Sequence, residues 1–165
     1  MWFHKPHQKA KESCNSLLSV VSLAIMEQRF EVTNNEIEEI KKKLISALIR
    51  HDEISFAYLH GSFGVLPFRD IDIGAYCVIP EDAVFDFELQ MSSELGTISE
   101  YPVDFKILNY APIGFQFSVI NEGTLLFERD RTVRLSFLED VGLKYMDYFE
   151  FSKSYFRELM ECIKR

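Results

Sequence analysis

Two aspartates separated by a single residue are the first sign of chemistry in this chain. Asp70 and Asp72 lie in a run with the alternation typical of a β-strand, so both carboxylates leave the same face, about 6.5–7 Å apart along the backbone. Asp104 occupies the polar side of a later predicted strand, and the three carboxylates would meet on one face if the two strands are neighbours. Carboxylate oxygens suit Mg²⁺, which keeps further positions for water and substrate phosphates. Two such ions could activate an attacking hydroxyl and stabilise a leaving pyrophosphate.

A Gly-Ser pair directly after a predicted strand is a candidate phosphate site. Gly61 has no Cβ, so its backbone N–H can approach a phosphate closely, and the Ser62 hydroxyl adds a donor. We expect this pair to begin a turn that leads into a short helix, whose N-terminus would favour an anion, and Gly64 to keep the loop open.

Each of these features also has an ordinary structural explanation. A strand-borne Asp-x-Asp is more often a solvated face, and Gly-Ser after a strand is usually a simple turn. The order of these motifs along the chain favours a functional site. Three acids on one side of a hydrophobic sheet would repel one another, so few structural needs would place them there.

The elements that position these residues are predicted from hydrophobic periodicity. Thr33 and Glu36 have the spacing of a capping box, which predicts the start of a helix. The whole pattern indicates one α/β (α+β) domain with a helical C-terminal arm. The predicted elements are a helix at 34–50, strands at 54–59, 70–79 and 103–109, helices at 82–95 and 113–121, a strand at 124–127, and helix from residue 130.

Composition narrows the class of protein. The chain has 165 residues, of which 47% are hydrophobic and 27% charged, which suits one globular domain. We predict an N-terminal extension at 1–30, helical or loosely packed, and a single domain at 31–165. The net charge of −8 disfavours direct nucleic-acid binding by bulk electrostatics. Scattered cysteines and the lack of an apolar run of about 18 residues predict a cytoplasmic protein with no membrane span.

The ordered motifs resemble a known family. Gly61-Ser62, then Arg69-Asp70-Ile71-Asp72, then Val103-Asp104 is similar to the nucleotidyltransferase superfamily that includes DNA polymerase beta and kanamycin nucleotidyltransferase. More narrowly, the chain resembles the minimal nucleotidyltransferases (MNT) of bacteria and archaea. The resemblance spans about 33–160 and implies the nucleotidyltransferase fold, a small mixed β-sheet flanked by helices.

The resemblance also implies an adenylyltransferase-type activity, the transfer of AMP from ATP to a protein hydroxyl. In that family pattern Asp70 and Asp72 would hold two Mg²⁺ ions and the triphosphate. Asp104 would complete the catalytic metal site and help to deprotonate the acceptor, while Gly61 and Ser62 would bind the β and γ phosphates. The implied partner is a HEPN-type toxin, a ribonuclease that such antitoxins modify on a tyrosine.

Two departures from the family pattern leave alternatives open. Only seven residues, Phe63–Arg69, separate Ser62 from Asp70, which is fewer than family members usually have. Arg69 stands where the family commonly has serine, and it could bind a nucleotide phosphate or lie on the surface. These departures motivate an alternative, a non-enzymatic antitoxin or binding module that masks a partner.

Several other residues have both a functional and a structural interpretation. His60 could contact the nucleotide or act as a local hydrogen-bonding group, and Lys106 could touch phosphate or form an ion pair. The apolar residues that follow Ser62 are expected to pack under the sheet. A C-terminal apolar stripe is expected to pack on the sheet, or to contact a partner helix or a second copy of the chain. The loop residues are Phe63, Val65, Leu66 and Phe68, and the stripe is Phe156, Leu159, Met160 and Ile163 beside Tyr155.

Overall fold

The computed structural model describes residues 29–65 and 67–163, so most of the predicted extension at 1–30 lies outside the described residues. Phe30 forms an isolated bridge with Phe68, in which each backbone N–H donates to the other residue's carbonyl, at 2.7 and 3.1 Å. The elements in chain order are α1 (Asn34–Leu48), β1 (Ile54–His60), β2 (Ile71–Cys77), α2 (Val84–Ser99), β3 (Val103–Ile107), α3 (Ile113–Glu122), β4 (Thr124–Glu128) and α4 (Arg131–Ile163).

The strands form one mixed sheet in the order β3-β2-β1-β4. β1 is antiparallel to both β2 and β4, whereas β2 and β3 are parallel. One face, which we call the back face, packs on α1 and α2 through residues such as Ile71, Leu44 and Met91. The other, the front face, is covered by α3 and α4 through Val119 and Phe137. The predicted fold class is therefore confirmed.

The helix that begins the described domain starts as its sequence predicts. The side chain of Thr33 accepts a hydrogen bond from the backbone N–H of Glu36 at 3.4 Å, and the Glu36 carboxylate accepts one from the Thr33 N–H at 2.7 Å. Such a reciprocal cap typically stabilises a helix by about 1 kcal/mol. The buried stripe of α1 then lies against the back face, and it comprises Ile37, Ile40, Leu44, Ala47 and Leu48.

The edge strand β3 is held by side chains from α2. The Ser92 hydroxyl accepts from the Phe105 backbone N–H at 3.1 Å, and a Glu88 oxygen accepts from the Ile107 N–H at 2.9 Å. Both N–H groups lie on a strand that has a neighbour on one side only, so α2 satisfies donors that an edge would otherwise present to solvent. The position of Asp104 on that strand is fixed as a result.

Strands β2 and β3 both end two residues earlier than their alternation predicts. The cause is Asn109, whose side-chain oxygen accepts from the Cys77 N–H at 3.1 Å and whose amide donates to the Cys77 carbonyl at 3.0 Å. To reach Cys77 the chain leaves β3 after Ile107 and makes one 3₁₀ turn at Leu108–Tyr110.

The last helix, α4, packs on the front face of the sheet through its first half. Phe137 and Val141 are buried, and the Tyr145 ring stacks on Phe117 with a centroid distance of 3.7 Å. The expected packing of the C-terminal stripe on the sheet is wrong for Met160, which is 55% exposed. The side chains of Phe156, Leu159 and Ile163 lie outside the described residues. Within the described part of the chain, no helix has the length and apolar character needed to cross a membrane.

Arg129 provides the first stability prediction. Its guanidinium donates to the carbonyls of Ile49, His51 and Ile54, at 2.9 Å and 2.8 Å for the latter two, and so joins the end of α1 to the start of β1. Because hydrogen bonds to a charged group contribute more than neutral ones, Arg129→Ala should lower the free energy of unfolding by about 2–3 kcal/mol. Urea unfolding would measure this.

The matched control for that experiment is Arg131→Ala, which removes an exposed arginine at the start of α4. We expect a change within about 0.5 kcal/mol for the control. Equal losses in the two variants would show that the contacts of Arg129 do not account for its effect.

Candidate active site

Three neighbouring strands bring polar residues into one row on the front face. In the strand register His60 of β1 is paired with Asp72 of β2, and Asp72 is paired with Asp104 of β3. Neighbouring strands lie about 4.8 Å apart, so the row crosses three of the four strands with one residue on each. The sequence predicted that the aspartates meet if their strands are neighbours, and β2 and β3 are indeed neighbours.

Asp72 is the acid in this row whose charged form is most strongly disfavoured. Burial, together with the negative charges of Asp70 and Asp104, raises the pKa of Asp72 to about 6, and the nearby positive charge of Arg69 offsets part of this rise. Asp70 lies at the bend just before β2, where the Ile71 N–H donates to the Pro102 carbonyl at 2.8 Å. The three acids are therefore close enough for each charge to act on Asp72.

The donor set fits a divalent cation. Carboxylate oxygens are the ligands that Mg²⁺ prefers, and a positive ion would relieve the repulsion that raises the pKa of Asp72. Among residues 29–65 and 67–163, no three His, Cys, Asp or Glu side chains converge into a preformed metal cluster. In the described structure the carboxylates thus lie near one another without forming a cluster, and a bound cation would have to bring them closer together.

The Gly-Ser segment forms a turn beside Asp72. Gly61 has a φ of +76°, and a Cβ at this position would lie 2.0 Å from the Asp72 Oδ2 atom. Residues 61–65 are a turn rather than the expected short helix, and the Val65 N–H donates to the Ser62 carbonyl at 3.1 Å. The expectation of a helix is wrong because Gly64 has a φ of +84°, outside the right-handed helical region. Any phosphate contact here would come from turn N–H groups and the Ser62 hydroxyl.

Arg69 is exposed, and its charge reaches Asp72. The loop residues before it are divided between two environments. Phe63 and Phe68 are buried and contact each other edge to face at 4.9 Å, as expected. Val65 is 80% exposed, so the expected packing is wrong there, because Gly64 turns the chain outward. Leu66 lies outside the described residues.

His60 occupies an unusual environment at the β1 end of the row. Its ring meets the edge of Phe115 at a centroid distance of 5.4 Å. Within the described part of the chain its Nε2 atom is buried without a hydrogen-bond partner, so the structure shows no local hydrogen bond for it. Burial lowers the pKa of His60, and the charge of Asp104 partly opposes this. The alternation of Phe56, Tyr58 and His60 on one face of β1 was the signal that could have placed it in the site.

Lys106 forms ion pairs, which is one of the two interpretations that its position in the sequence allowed. Its Nζ lies 3.3 Å from a Glu88 oxygen and 3.5 Å from the Asp104 Oδ1 atom. Since Glu88 also caps β3, this lysine links the edge of the sheet to the acidic row. No sequence pattern joined Glu88 to the site, because it is 16 residues upstream of Asp104 on another element.

The raised pKa of Asp72 leads to a prediction about the stability of the protein. Because the native pKa is about 6 and the unfolded value is 3.8, the native state keeps a proton that the unfolded chain has lost. The free energy of unfolding therefore falls as the pH rises from about 4 to about 6. A shift of this size corresponds to about 3 kcal/mol, which partial exposure screens to about 1–2 kcal/mol.

Asp72→Asn should therefore raise Tm by about 3–6 °C at pH 7.5 in chelator-treated buffer, with little gain at pH 4.5, where Asp72 is protonated in the native state. Differential scanning calorimetry would measure both values. Asp147→Asn, at an exposed position on α4, is the control and should leave Tm unchanged. A gain of equal size at both pH values would contradict the electrostatic explanation.

Comparison with known proteins identifies the fold. The family model described as "Polymerase beta, Nucleotidyltransferase" matches residues 42–132, more than half of the chain. No protein of curated function matches by sequence.

Solved structures similar to this chain come from toxin–antitoxin complexes. One is the tri-AMPylated HEPN toxin of Shewanella oneidensis in complex with MNT antitoxin, with a TM-score of 0.62, 18% identity, and coverage of 75% of this chain and 98% of that chain. The toxin–antitoxin MntA-HepT gives a TM-score of 0.61 at 17% identity, covering 74% and 98%. A toxin–antitoxin structure with AMP-PNP gives 0.57 at 17% identity, covering 78% and 99%. At these identities the likeness shows a shared fold.

Proposed function

The chain belongs to the polymerase beta nucleotidyltransferase family, and on that premise we propose that it transfers a nucleoside monophosphate, AMP from ATP, to a protein hydroxyl. The observation that carries this proposal is the register that places Asp72 beside Asp104, next to the Gly61 turn. Neighbouring acids, among which Asp72 has a raised pKa, next to an open glycine turn suit a triphosphate and its cations.

In the proposed site each residue has a separate task. Asp70 and Asp72 would hold two Mg²⁺ ions with the triphosphate, and Asp104 would share the ion nearer the acceptor. When bound, these ions would withdraw charge from the phosphates and favour ionisation of the hydroxyl. Gly61 and Ser62 would bind the β and γ phosphates.

The reaction is a single displacement at the α-phosphorus of ATP. The acceptor oxygen bonds to that phosphorus, the bond to the pyrophosphate oxygen breaks, and Asp104 takes the hydroxyl proton. Arg69, exposed beside the acidic row, would contact a phosphate of the bound nucleotide.

The partner in this proposal is a HEPN-type toxin, and the chain would act as its MNT-type antitoxin. Support comes from the fold shared with MNT antitoxin complexes, one of which contains an AMPylated toxin. The proposed compartment is the cytoplasm, which agrees with the buried free thiol of Cys77. The net charge of −8 suits a basic protein partner.

The test combines the full chain with a HEPN-type toxin as the candidate partner, Mg²⁺ and ATP labelled at the α-phosphate. We expect label on the partner protein, none after addition of EDTA, and none with Asp70→Asn. Asp147→Asn should retain transfer. Absence of both label transfer and nucleotide binding at millimolar ATP would overturn the proposal.

A second candidate, a non-enzymatic antitoxin, is favoured by the short span of seven residues between Ser62 and Asp70. Under that alternative the protein neutralises its partner by contact alone. Asp70→Asn would then still protect cells that express the partner, whereas the enzymatic proposal expects protection to be lost. Co-expression growth assays with both variants decide between the two.

A further inference from the structure

The outward side of α4 carries exposed side chains with a symmetric spacing. Met146 lies at the centre, Leu143 and Phe149 lie three residues before and after it, and Glu139 and Lys153 lie seven residues before and after it. Residues three, four and seven apart share one side of a helix. These five residues therefore form a single surface, which we call the outer face of α4, and it runs for about 21 Å along the helix.

The outer face of α4 is apolar in its middle and open to solvent. The residues that anchor this helix to the sheet, Phe137 and Val141, are buried on the opposite side of the helix. Leu143, Met146 and Phe149 are 63%, 67% and 51% exposed. Large apolar side chains that line successive turns outside the core are typical of a surface that another protein covers.

The two ends of the outer face carry charges of opposite sign. Glu139 and Lys153 are exposed, and within residues 29–65 and 67–163 neither side chain forms an ion pair or a hydrogen bond. By contrast, Lys144 on the same helix lies 2.6 Å from a carboxylate oxygen of Asp140. The charges at both ends of the outer face are thus available to a binding partner.

This pattern is complementary to itself when two copies of the helix run in opposite directions. We propose that the outer face of α4 binds the same face of a second copy of this chain, as an antiparallel pair with a two-fold axis at Met146. Glu139 of each copy then meets Lys153 of the other, and Leu143 lies beside the other copy's Phe149. A parallel pair would instead place Glu139 against Glu139 and Lys153 against Lys153, which like-charge repulsion disfavours.

The size of the contact sets the strength of the expected dimer. One pair of helices in contact over about 21 Å is at the small end of specific interfaces, and such small interfaces are weak and transient. We therefore expect a dissociation constant of about 1–100 µM. The inference does not depend on the proposed function, because the outer face of α4 shares no residue with the candidate active site.

Sedimentation velocity of the full chain from about 1 to 300 µM tests the dimer. We expect the average mass to rise with concentration from that of one chain towards that of two. Met146→Asp places two carboxylates together at the two-fold axis and should weaken association about ten-fold or more. Its circular dichroism and Tm should match the wild type, because Met146 is exposed.

Charge reversal tests the antiparallel arrangement. Glu139→Lys and Lys153→Glu each place like charges at both ends of the pair, so each variant alone should dimerise about five-fold or more weakly. An equimolar mixture of the two variants should recover dimers, because every lysine then meets a glutamate, and the double variant should recover them too. The control is Asp82→Lys, which changes the net charge as Glu139→Lys does, at an exposed position outside α4, and should associate as the wild type.

The same measurements give the results that would overturn the inference. A wild-type chain that stays monomeric up to about 300 µM would show that the outer face of α4 binds no second copy. Dimers that survive Met146→Asp unchanged would have to form through another surface. Single charge variants that dimerise as well as the wild type, or a mixture of them that stays monomeric, would exclude the antiparallel pair.

Discussion

Asp104→Asn is expected to lower the rate of nucleotidyl transfer about 10³-fold without loosening the fold. A positioned general base contributes about 10²–10⁴-fold, and this variant also removes a negative charge from the proposed cation site. Asp104 is exposed, and its ion pair is with Lys106 at 3.5 Å. Exposed pairs of this kind contribute little to stability, so Tm should stay within about 2 °C of the wild-type value.

Pyrophosphate release at saturating ATP and Mg²⁺ measures the effect on rate, and thermal unfolding of the same preparations measures the effect on the fold. Asp147→Asn again serves as the matched control, because it removes one exposed carboxylate far along α4. A rate above about one tenth of the wild type in Asp104→Asn would exclude Asp104 as the proton acceptor.

The two aspartates of the row should therefore behave differently when neutralised. Asp72→Asn is expected to stabilise the metal-free protein, since burial and two neighbouring charges raise the pKa of Asp72. Asp104→Asn should be neutral for stability, and both should lose transfer. A residue whose removal stabilises the fold but destroys activity is under functional rather than structural constraint.

Much of the fold could be predicted because its signals are local. The capping box of Thr33 and Glu36 depends on residues three apart, and the alternation in β2 depends on residues two apart, so both can be seen in the sequence. The order of the strands was not predicted, because pairings such as that of Asp72 with Asp104 join residues that are far apart in the sequence. The ends of β2 and β3 could not be predicted, because the Asn109 side chain that stops both acts on Cys77, 32 residues upstream.

Only part of the candidate site could be predicted, because only some of its signals are local in the sequence. The spacing of Asp70 and Asp72 is local, whereas the contacts of His60 with Phe115 and of Lys106 with Glu88 join separate elements. The helix expected after Ser62 was wrong because the left-handed backbone of Gly64 prevents it.

Gly61→Ala is expected to destabilise the protein by about 3 kcal/mol and to reduce transfer at least about 10²-fold. Its positive φ of +76° strains any residue with a side chain, at about 1–3 kcal/mol. The added Cβ would also lie 2.0 Å from the Asp72 Oδ2 atom and 2.9 Å from its Cγ. Asp72 must then turn away from its place in the row, so the same substitution affects both stability and the proposed cation site.

Two other glycines separate these causes. Gly64 also has a positive φ, +84°, but among the described residues a Cβ there would meet only Ile37, at 3.5 Å. Gly64→Ala therefore measures backbone strain alone and should lose about 1–2 kcal/mol. Gly142 lies in α4, and, its own helix backbone aside, no atom of residues 29–65 or 67–163 comes within 4 Å of its Cβ position, so Gly142→Ala should gain about 0.5–1 kcal/mol through helix propensity.

The contact with Asp72 is isolated by combining Gly61→Ala with Asp72→Ala. Removing the carboxylate leaves only the Asp72 Cβ near the new methyl group, at 3.3 Å, so the double variant should recover the steric part of the lost stability. Measured against the single variant Asp72→Ala, which itself removes the disfavoured charge, the remaining deficit should match that of Gly64→Ala, because only backbone strain is left. Transfer should stay absent, since the carboxylate is gone. If Gly61→Ala costs as much stability in the Asp72→Ala background as in the wild type, the close approach of Gly61 to Asp72 is not what requires glycine at this position.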